Sequence, residues 1–180
     1  ETGFRIARKS IERFASLYSP LEGNSLTLVD HRNTSPYQNP VLFSGGGGLV
    51  GTIDDYMKFG EMICAGGIYN KARILSSKTL EFMRLNHLRG DIASLGPESF
   101  AEQPMDGMGF GLGGAVVLNP GLTRIPGNVG DFGWGGMAST FFWTDPVNNM
   151  SVVFFTQLSP SSSYSNRAEL KALVHGAMIN

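Results

Sequence analysis

The order of the sequence patterns constrains the fold more than any other feature. Helix-like apolar spacing comes first, strand-like runs follow at 110–118, 137–143 and 151–157, and a helical stripe closes the chain. Helices, then strands that can pair as neighbours, then a last helix favour an α+β fold. The expected architecture is an antiparallel sheet flanked by helices, rather than the alternating strands and helices of a parallel sheet.

Local signals predict the first elements. Apolar spacing predicts a helix over 5–18, and alternation predicts a strand over 25–29. Thr52 is placed to cap a helix that ends before Gly66, and a second helix is expected to start at Ser76 or Ser77. The predicted buried face of the Thr52-capped helix is Ile53, Tyr56, Met57, Gly60 and Ile63.

Local signals also predict the later elements. Residues 89–107 are expected to form a long loop, and 110–118 a single strand. The runs 137–143 and 151–157 flank a polar turn segment and predict a hairpin. Ser163 or Ser165 is expected to cap the last helix. The predicted apolar stripe of that helix is Leu170, Leu173, Val174, Ala177 and Met178.

Composition excludes several functions. The net charge is −1 and no basic block occurs, so nucleic acid binding is not expected. No apolar run approaches the roughly 20 residues that span a bilayer, so no membrane interaction is predicted. The chain opens at Glu1 without Met or a signal peptide, as a processed or truncated chain would; the default expectation is a cytoplasmic location. Cys64, the single cysteine, is interpreted as a packing residue.

A glycine run offers a nucleotide-binding alternative. Gly46-x-Gly48-x-x-Gly51 fits the dinucleotide pattern, follows an apolar run and precedes a helix. However, Lys71 stands about 20 residues on, where that motif needs an acidic residue for the ribose. The same stretch lacks the lysine of a phosphate loop before Thr52. A tight turn into a packed helix is the favoured interpretation, and no cofactor is predicted.

The histidines and serines show no recognised site spacing. His31, His87 and His175 lie far apart and form no ligand pair, so no metal site is predicted. There is no G-x-S-x-G elbow, and no serine has a lysine three positions later. The triplet 164–166 matches the Y-x-N pattern of serine β-lactamases, but it follows the hairpin. It is therefore interpreted as helix capping.

Glycines cluster at 127–136, just before a strand-like run. Bare backbone at the mouth of a strand lets a substrate lie against it, and free N–H groups there bind a carbonyl oxygen or an oxyanion. A glycine-rich strand that crosses a helix closely would give the same pattern. The residues alone leave both interpretations open.

Four segments resemble one enzyme family and occur in that family's order. They are 43–56, 105–113, 133–146 with its Trp134-Gly135-Gly136 motif, and 156–164. They are similar to family VIII carboxylesterases, which have the fold of class C β-lactamases and penicillin-binding proteins. The resemblance runs the length of the chain. It implies that residues 1–180 are the carboxyl-terminal part of a single β-lactamase/transpeptidase-like serine hydrolase domain.

The resemblance also implies a site. In that family, W-G-G replaces the K-T-G of β-lactamases on the strand that edges the active site. Trp134, Gly135 and Gly136 would then lie along the substrate, and the backbone N–H of Met137 would be an oxyanion donor. The second donor would be the N–H of the nucleophilic serine. That serine, assisted by a lysine and a tyrosine, would attack an ester carbonyl, and water would release the acyl-enzyme.

The resemblance places the serine, lysine and tyrosine in the amino-terminal half of the family, so they are expected outside this chain. The expected partners are a small ester substrate and the amino-terminal segment of the same fold, or a partner chain. Homo-oligomerisation is a further expectation. Two alternatives stay open. One is a β-lactamase or D-amino-acid peptidase, which Trp134 disfavours because a lysine there would pair with the substrate carboxylate. The other is a catalytically incomplete binding or oligomerising module.

Overall fold

A computed structural model describes residues 1–31, 34–96, 99–100, 103–161 and 163–179. Its α-helices are α1 (Ile53–Cys64), α2 (Ser77–Met83), α3 (Pro120–Thr123) and α4 (Asn166–Gly176). Its strands are β1 (Leu17–Pro20), β2 (Leu26–Asp30), β3 (Ile68–Tyr69), β4 (Ala72–Arg73), β5 (Ser99–Phe100), β6 (Gln103–Pro104), β7 (Met108–Phe110), β8 (Ala115–Val117), β9 (Phe132–Gly135), β10 (Phe141–Asp145) and β11 (Met150–Phe154).

A five-stranded antiparallel sheet organises the fold. Its strand order is β11-β10-β9-β8-β7, so strands that follow one another in the chain are neighbours in the sheet. Helices pack on it, and the predicted α+β architecture is confirmed. The pairs β1-β2, β3-β4 and β5-β6 form two-stranded ladders outside this sheet. Among the helices in the described ranges, none has the length and apolar character that a bilayer crossing requires.

The predicted helix over 5–18 is wrong. Arg8–Arg13 is a short 3₁₀ helix whose N-cap residue, Ala7, makes no capping hydrogen bond with its side chain. The following residues form β1, which pairs with β2, and the N–H of Tyr18 donates to the carbonyl oxygen of Gln157. Long-range strand pairing therefore outweighs the local helical spacing. The strand predicted over 25–29 is confirmed as β2.

Side-chain caps begin α1 and α2 where the sequence predicts them. Thr52 Oγ1 accepts a hydrogen bond from the N–H of Asp55 at 3.2 Å, and Ser76 Oγ accepts one from Thr79 at 3.0 Å. These bonds satisfy N–H groups that a helix leaves unpaired in its first turn. Helix α1 ends before Gly66, which has a φ of +65°.

One face of the sheet packs against α1 and α2. The buried cluster between them is Met62, Ile63, Leu80, Val116, Phe132 and Phe142. The predicted α1 face is partly wrong, because Ile53 and Tyr56 stay exposed whereas Met62 is buried. The second half of α1 therefore contributes most of its packing.

The single strand predicted over 110–118 is wrong, because this segment forms a hairpin. Strands β7 and β8 pair with Gly109 opposite Val116. The chain reverses between them, where the N–H of Gly111 donates to the carbonyl oxygen of Gly114 at 2.8 Å. Gly113 has a φ of +91°, a conformation that favours glycine. The glycines of this segment therefore make a turn.

The hairpin predicted at 137–143 and 151–157 is confirmed as β10 and β11, with shorter strands. Residues 137–140 lie in a turn before β10 rather than in the strand. The carboxylate of Asp145 accepts hydrogen bonds from the backbone N–H groups of Val147 and Asn148 and from the side chain of Asn128. These bonds fix the turn between the two strands.

The opposite face of the sheet packs against α4. The buried residues of α4 are Arg167 and Lys171. The predicted apolar stripe is partly wrong, because Leu170, Val174 and Met178 are half-buried whereas Leu173 is 72% exposed. Long basic side chains cover apolar surface with their stems while their charged ends reach polar partners. Ser165 occupies the N-cap position without a capping hydrogen bond from its side chain.

The long loop predicted over 89–107 contains short elements. Ala93–Leu95 forms a 3₁₀ helix, and the β5-β6 pair follows; residues 97, 98, 101 and 102 lie outside the described part. Asp91 Oδ2 accepts a hydrogen bond from the N–H of Gly107 at 3.0 Å. This bond joins the two ends of the segment.

Candidate active site

The predicted site residues are consecutive at the end of β9: Trp134, Gly135, Gly136 and Met137. On one side β9 pairs with β10, and Gly135 lies opposite Phe141. On the other side the pairing with β8 stops at Gly133, which lies opposite Ala115. The end of β9 therefore extends past β8, and no strand of the described chain covers that side of its backbone.

A tight turn follows β9, and the Met137 amide in it is available. The N–H of Gly136 donates to the carbonyl oxygen of Thr140 at 2.9 Å, and the N–H of Ser139 donates to that of Gly136 at 3.1 Å. Within the described ranges, the N–H of Met137 donates to no acceptor. Its side chain is 72% exposed. An available N–H group on ordered backbone is what an oxyanion donor requires.

The Trp134 side chain packs on the α1 face of the sheet. Its ring meets Phe110 edge-on, with centroids 5.0 Å apart and an interplanar angle of 86°. The ring is half-buried and also packs against the core cluster. Trp134 therefore supplies an uncharged aromatic wall rather than a cation at this end of β9.

Arg167 reaches the same turn from α4 on the opposite face. Its Nη2 donates to the carbonyl oxygen of Gly136 at 2.9 Å and lies 3.4 Å from that of Thr140. The guanidinium carbon sits 5.8 Å from the centre of the Phe141 ring. A Cβ atom on Gly135 would lie 2.7 Å from that carbon, so the absence of a side chain at Gly135 makes room for the arginine.

Arg167 was not among the predicted site residues. The available signal was the placement of Arg167 and Lys171 four residues apart, which puts both cations on one side of a helix. Lys171 Nζ forms a buried ion pair with Asp131 Oδ2 at 2.7 Å. Burial raises the pKa of Asp131, and the Lys171 charge opposes part of that rise. The packed side of α4 is therefore polar at its contacts with β9.

A cavity of about 50 Å³ lies between α4 and the sheet. Its apolar lining includes Met105, Met108, Val117, Ile125 and Trp143. Pockets for small organic ligands are usually about 300–1,000 Å³, so this cavity is too small for an ester substrate. Gly133 and Gly135 line it together with Arg167 and Lys171 of α4.

A second, open groove has a volume of about 630 Å³. It runs between β1 and residues 156–158, and its walls include Tyr18, Leu26, Leu158 and Tyr164. The N–H of Leu158 donates to the carbonyl oxygen of Ala138 at 3.1 Å. The groove is therefore joined to the turn that carries Met137, and its volume matches that of a small-molecule site.

The glycine run that matched the dinucleotide pattern forms a tight turn. The N–H of Gly48 donates to the carbonyl oxygen of Ser44 at 2.8 Å, and a Cβ atom on Gly48 would meet that oxygen at 2.7 Å. Helix α1 then begins with Asp54 and Asp55 in its first turn. Their negative charges would repel a phosphate at that helix end. The geometry is that of the favoured interpretation, a turn into a packed helix.

Comparisons with known proteins extend over nearly the whole chain. The family model described as Beta-lactamase matches residues 1–176. Protein Rv1367c of Mycobacterium tuberculosis is 30% identical over 169 residues, which cover 91% of this chain and 41% of that protein. The chain therefore spans less than half the length of this curated relative.

Solved structures share the fold. The structure titled "EstCE1, a hydrolase with promiscuous acyltransferase activity" is 26% identical with a TM-score of 0.71, over 95% of this chain and 45% of that one. Simvastatin Synthase (LovD) from Aspergillus terreus is 19% identical with a TM-score of 0.77, over 97% of this chain and 45% of that one. At that identity, the second likeness concerns the fold alone. The arrangement is the predicted β-lactamase/transpeptidase-like fold, of which this chain covers a part.

Proposed function

The chain belongs to the beta-lactamase family, and we propose that it is the carboxyl-terminal part of a serine carboxylesterase of the family VIII kind. The enzyme cleaves small esters through an acyl-enzyme, and its serine, lysine and tyrosine lie in a segment outside this chain. The family match, the Trp134-Gly135-Gly136 motif and the likeness to EstCE1, a hydrolase, support this function.

The observation that carries the proposal is the available N–H of Met137 beyond the end of β8. When the serine oxygen attacks the ester carbonyl carbon, the carbonyl oxygen becomes an oxyanion, and the Met137 N–H donates to it. The C–O bond to the alcohol then breaks, and the alcohol leaves with the proton that the lysine and tyrosine took from the serine. Water attacks the acyl-enzyme in the same way, and the same N–H stabilises the second oxyanion. The bond from the acyl carbon to the serine oxygen then breaks, and the serine regains its proton as the acid is released.

The aromatic side chain at position 134 favours an ester over a β-lactam. A β-lactam carries a carboxylate, and a carboxylate in a partly buried site needs a cation or several hydrogen-bond donors. Trp134 packs on Phe110 and offers no positive charge. A neutral ester has no such requirement.

The groove beside the turn suggests where the substrate lies. Its wall residues Tyr18, Leu26 and Leu158 offer apolar surface close to the Met137 turn. We place the apolar portion of the ester in this groove, with its carbonyl oxygen at the Met137 N–H.

An amino-terminal segment is the proposed partner. Relatives extend well beyond the matched part, and this chain leaves apolar surface uncovered: Val41, Leu42 and Phe43 are 104%, 73% and 67% exposed. Strand β11 pairs only with β10 within the described sheet, and such an edge accepts a further strand. We call this chain together with the amino-terminal segment the complemented protein.

Hydrolysis assays test this function. The complemented protein is expected to hydrolyse p-nitrophenyl butyrate faster than the chromogenic β-lactam nitrocefin. Replacing the serine of the S-x-x-K motif in the added segment by alanine is expected to abolish ester turnover. Turnover of nitrocefin alone would support the β-lactamase alternative, and turnover of neither substrate would support a non-catalytic module.

A further inference from the structure

Arg167 contacts the peptide group that carries the proposed oxyanion donor. The carbonyl oxygen of Gly136 and the N–H of Met137 belong to one planar peptide group. Arg167 Nη2 donates to that carbonyl oxygen at 2.9 Å. Because this peptide bond is trans, its C=O and N–H point in opposite directions. A donor that holds the carbonyl on the α4 side therefore directs the N–H away from α4.

We propose that Arg167 is a positioning residue for ester hydrolysis, which fixes and polarises the Gly136–Met137 peptide so that the Met137 N–H is aimed at the oxyanion. This role rests on the proposed esterase function. Arg167 acts through the peptide group and does not itself contact the substrate.

Two donors fix the orientation of this peptide. The carbonyl oxygen of Gly136 accepts from Arg167 and also from the N–H of Ser139 at 3.1 Å, and a carbonyl oxygen has two lone pairs. Arg167 also lies 3.4 Å from the carbonyl oxygen of Thr140. Both ends of the 136–140 turn are thus tied to one guanidinium group.

The charge of the guanidinium group adds polarisation to orientation. Hydrogen bonds from a charged donor are stronger than those between neutral groups. A carbonyl group that accepts such a bond draws electron density from its own amide nitrogen, which makes the N–H a better donor, and hydrogen bonds strengthen one another cooperatively in this way. The Arg167 side chain is only 3% exposed, so water screens this effect little.

Gly135 has a separate reason to be glycine on this account. A Cβ atom there would lie 2.7 Å from both Cζ and Nη2 of Arg167. Any other residue at position 135 would push the guanidinium group away from the Gly136 carbonyl. In the motif, Trp134 therefore supplies an aromatic wall, Gly135 leaves room for the arginine, and Gly136 carries the carbonyl that the arginine holds.

Kinetics of Arg167→Met in the complemented protein test this role. Loss of a whole oxyanion donor costs about 10²–10³ in kcat, and we expect a misaimed donor to cost less, about 10- to 100-fold. KM for p-nitrophenyl butyrate should change little, because the interaction is made in the transition state. Affinity for a phenylboronic acid, which forms a tetrahedral adduct with the serine, should fall by the same factor as kcat. Added guanidinium ion at non-denaturing concentration should restore part of the activity.

Lys171→Met is the matched control, since it removes the other buried cation of α4 without touching the Gly136 carbonyl. It should lower stability yet leave the kcat of the folded protein near the wild-type value. Arg167→Lys covers the case in which Arg167→Met does not fold; it keeps the charge but not the planar guanidinium group, so its kcat should fall by less than that of Arg167→Met. An unchanged kcat in folded Arg167→Met, or in Arg167→Lys where Arg167→Met does not fold, would overturn the role.

A wild-type protein that hydrolyses no ester would overturn the proposed function and this role together. A through-hydrogen-bond NMR coupling between Arg167 Nη2 and the Gly136 carbonyl carbon separates the two failures. If ester hydrolysis is present and the coupling is absent, then Arg167 does not hold the peptide and only the positioning role fails.

Discussion

Lys171 Nζ lies 2.7 Å from Asp131 Oδ2, and the two side chains are 8% and 2% exposed. The pair joins the middle of α4 to the residue directly before β9. Asp131 Oδ1 has no hydrogen-bond partner in the described structure, so the carboxylate depends on Lys171 for its compensation. A buried ion pair of this kind adds little net stability, but removing one partner leaves a buried charge.

Lys171→Met is expected to lower the free energy of unfolding by about 3–5 kcal/mol at neutral pH. The double variant Asp131→Asn/Lys171→Met should regain more than half of that loss, because no charge is then left buried. Urea denaturation of the complemented protein measures both. Equal stability of the single and the double variant would contradict this account.

The same single variant should show a pH-dependent deficit. Burial raises the pKa of Asp131 even with Lys171 present, and loss of the lysine should raise it further. In the unfolded state this carboxyl group titrates at about 3.9. Between that pH and the raised folded pKa, it is ionised in the unfolded state and still protonated in the folded state, so rising pH stabilises the unfolded state relative to the folded one. The deficit of Lys171→Met should therefore grow as pH rises from about 4 to 7, and a constant deficit would refute it.

Removal of the Met137 N–H should affect catalysis more than removal of its side chain. Met137→Pro lacks the N–H and is expected to lower kcat for p-nitrophenyl butyrate by about 10²–10³. Met137→Ala keeps the N–H and should keep kcat, because the side chain is 72% exposed. Similar kcat values for the two variants, with both proteins folded by circular dichroism, would remove Met137 from the site.

Gly133→Ala is expected to destabilise the sheet. A Cβ atom there would lie 2.9 Å from Trp143 Cα and would also meet the Phe142 carbonyl oxygen. Strand β9 cannot shift to relieve these contacts, because it is paired on both sides at this residue. Overpacking of this kind costs about 1–3 kcal/mol. Gly47→Ala is the control, since a methyl group at that position would have no other atom within 4 Å. A thermal-unfolding midpoint for Gly133→Ala equal to that of the control would contradict the packing described.

Asp145 should contribute acid-dependent stability. Burial alone would raise its pKa, but hydrogen bonds from Asn148, Asn128 and Val147 outweigh burial and lower the pKa. Its folded pKa is thus below the unfolded value of about 3.9, so its stabilisation is complete above that pH and is lost as pH falls through the folded pKa. In Asp145→Asn, the free energy of unfolding should fall less steeply as pH drops below about 4. The same steepness in the variant and the wild-type protein would exclude this contribution.

Capping and turn residues in the sequence predicted the elements that are stabilised mainly by interactions within their own segment. Helix α1 carries its own cap at Thr52 and its own stop at Gly66, and the β10-β11 hairpin carries a polar turn fixed by Asp145. The 5–18 segment failed because β1 is stabilised by residues far along the chain, including Gln157. Spacing within a segment contains no information about such a partner.

In the candidate site, too, contacts between residues far apart in the chain escaped prediction. The resemblance predicted Trp134, Gly135 and Gly136 along the substrate, and the structure has them at the end of β9; their role in binding stays a prediction. Arg167 escaped prediction because its contact with Gly136 joins positions 31 residues apart and depends on how α4 crosses the sheet. The spacing of Arg167 and Lys171 puts both on one side of α4, but charged residues on a helix are most often exposed to solvent, so the spacing alone does not predict a buried arginine.

Labelling with a serine-directed fluorophosphonate, followed by mass spectrometry of the modified peptide, tests directly where the nucleophile lies. We expect the complemented protein to be labelled on the serine of the amino-terminal segment, and this chain alone to take up no label. Labelling of a serine within residues 1–180 would contradict this expectation, because the nucleophile would then lie in this chain.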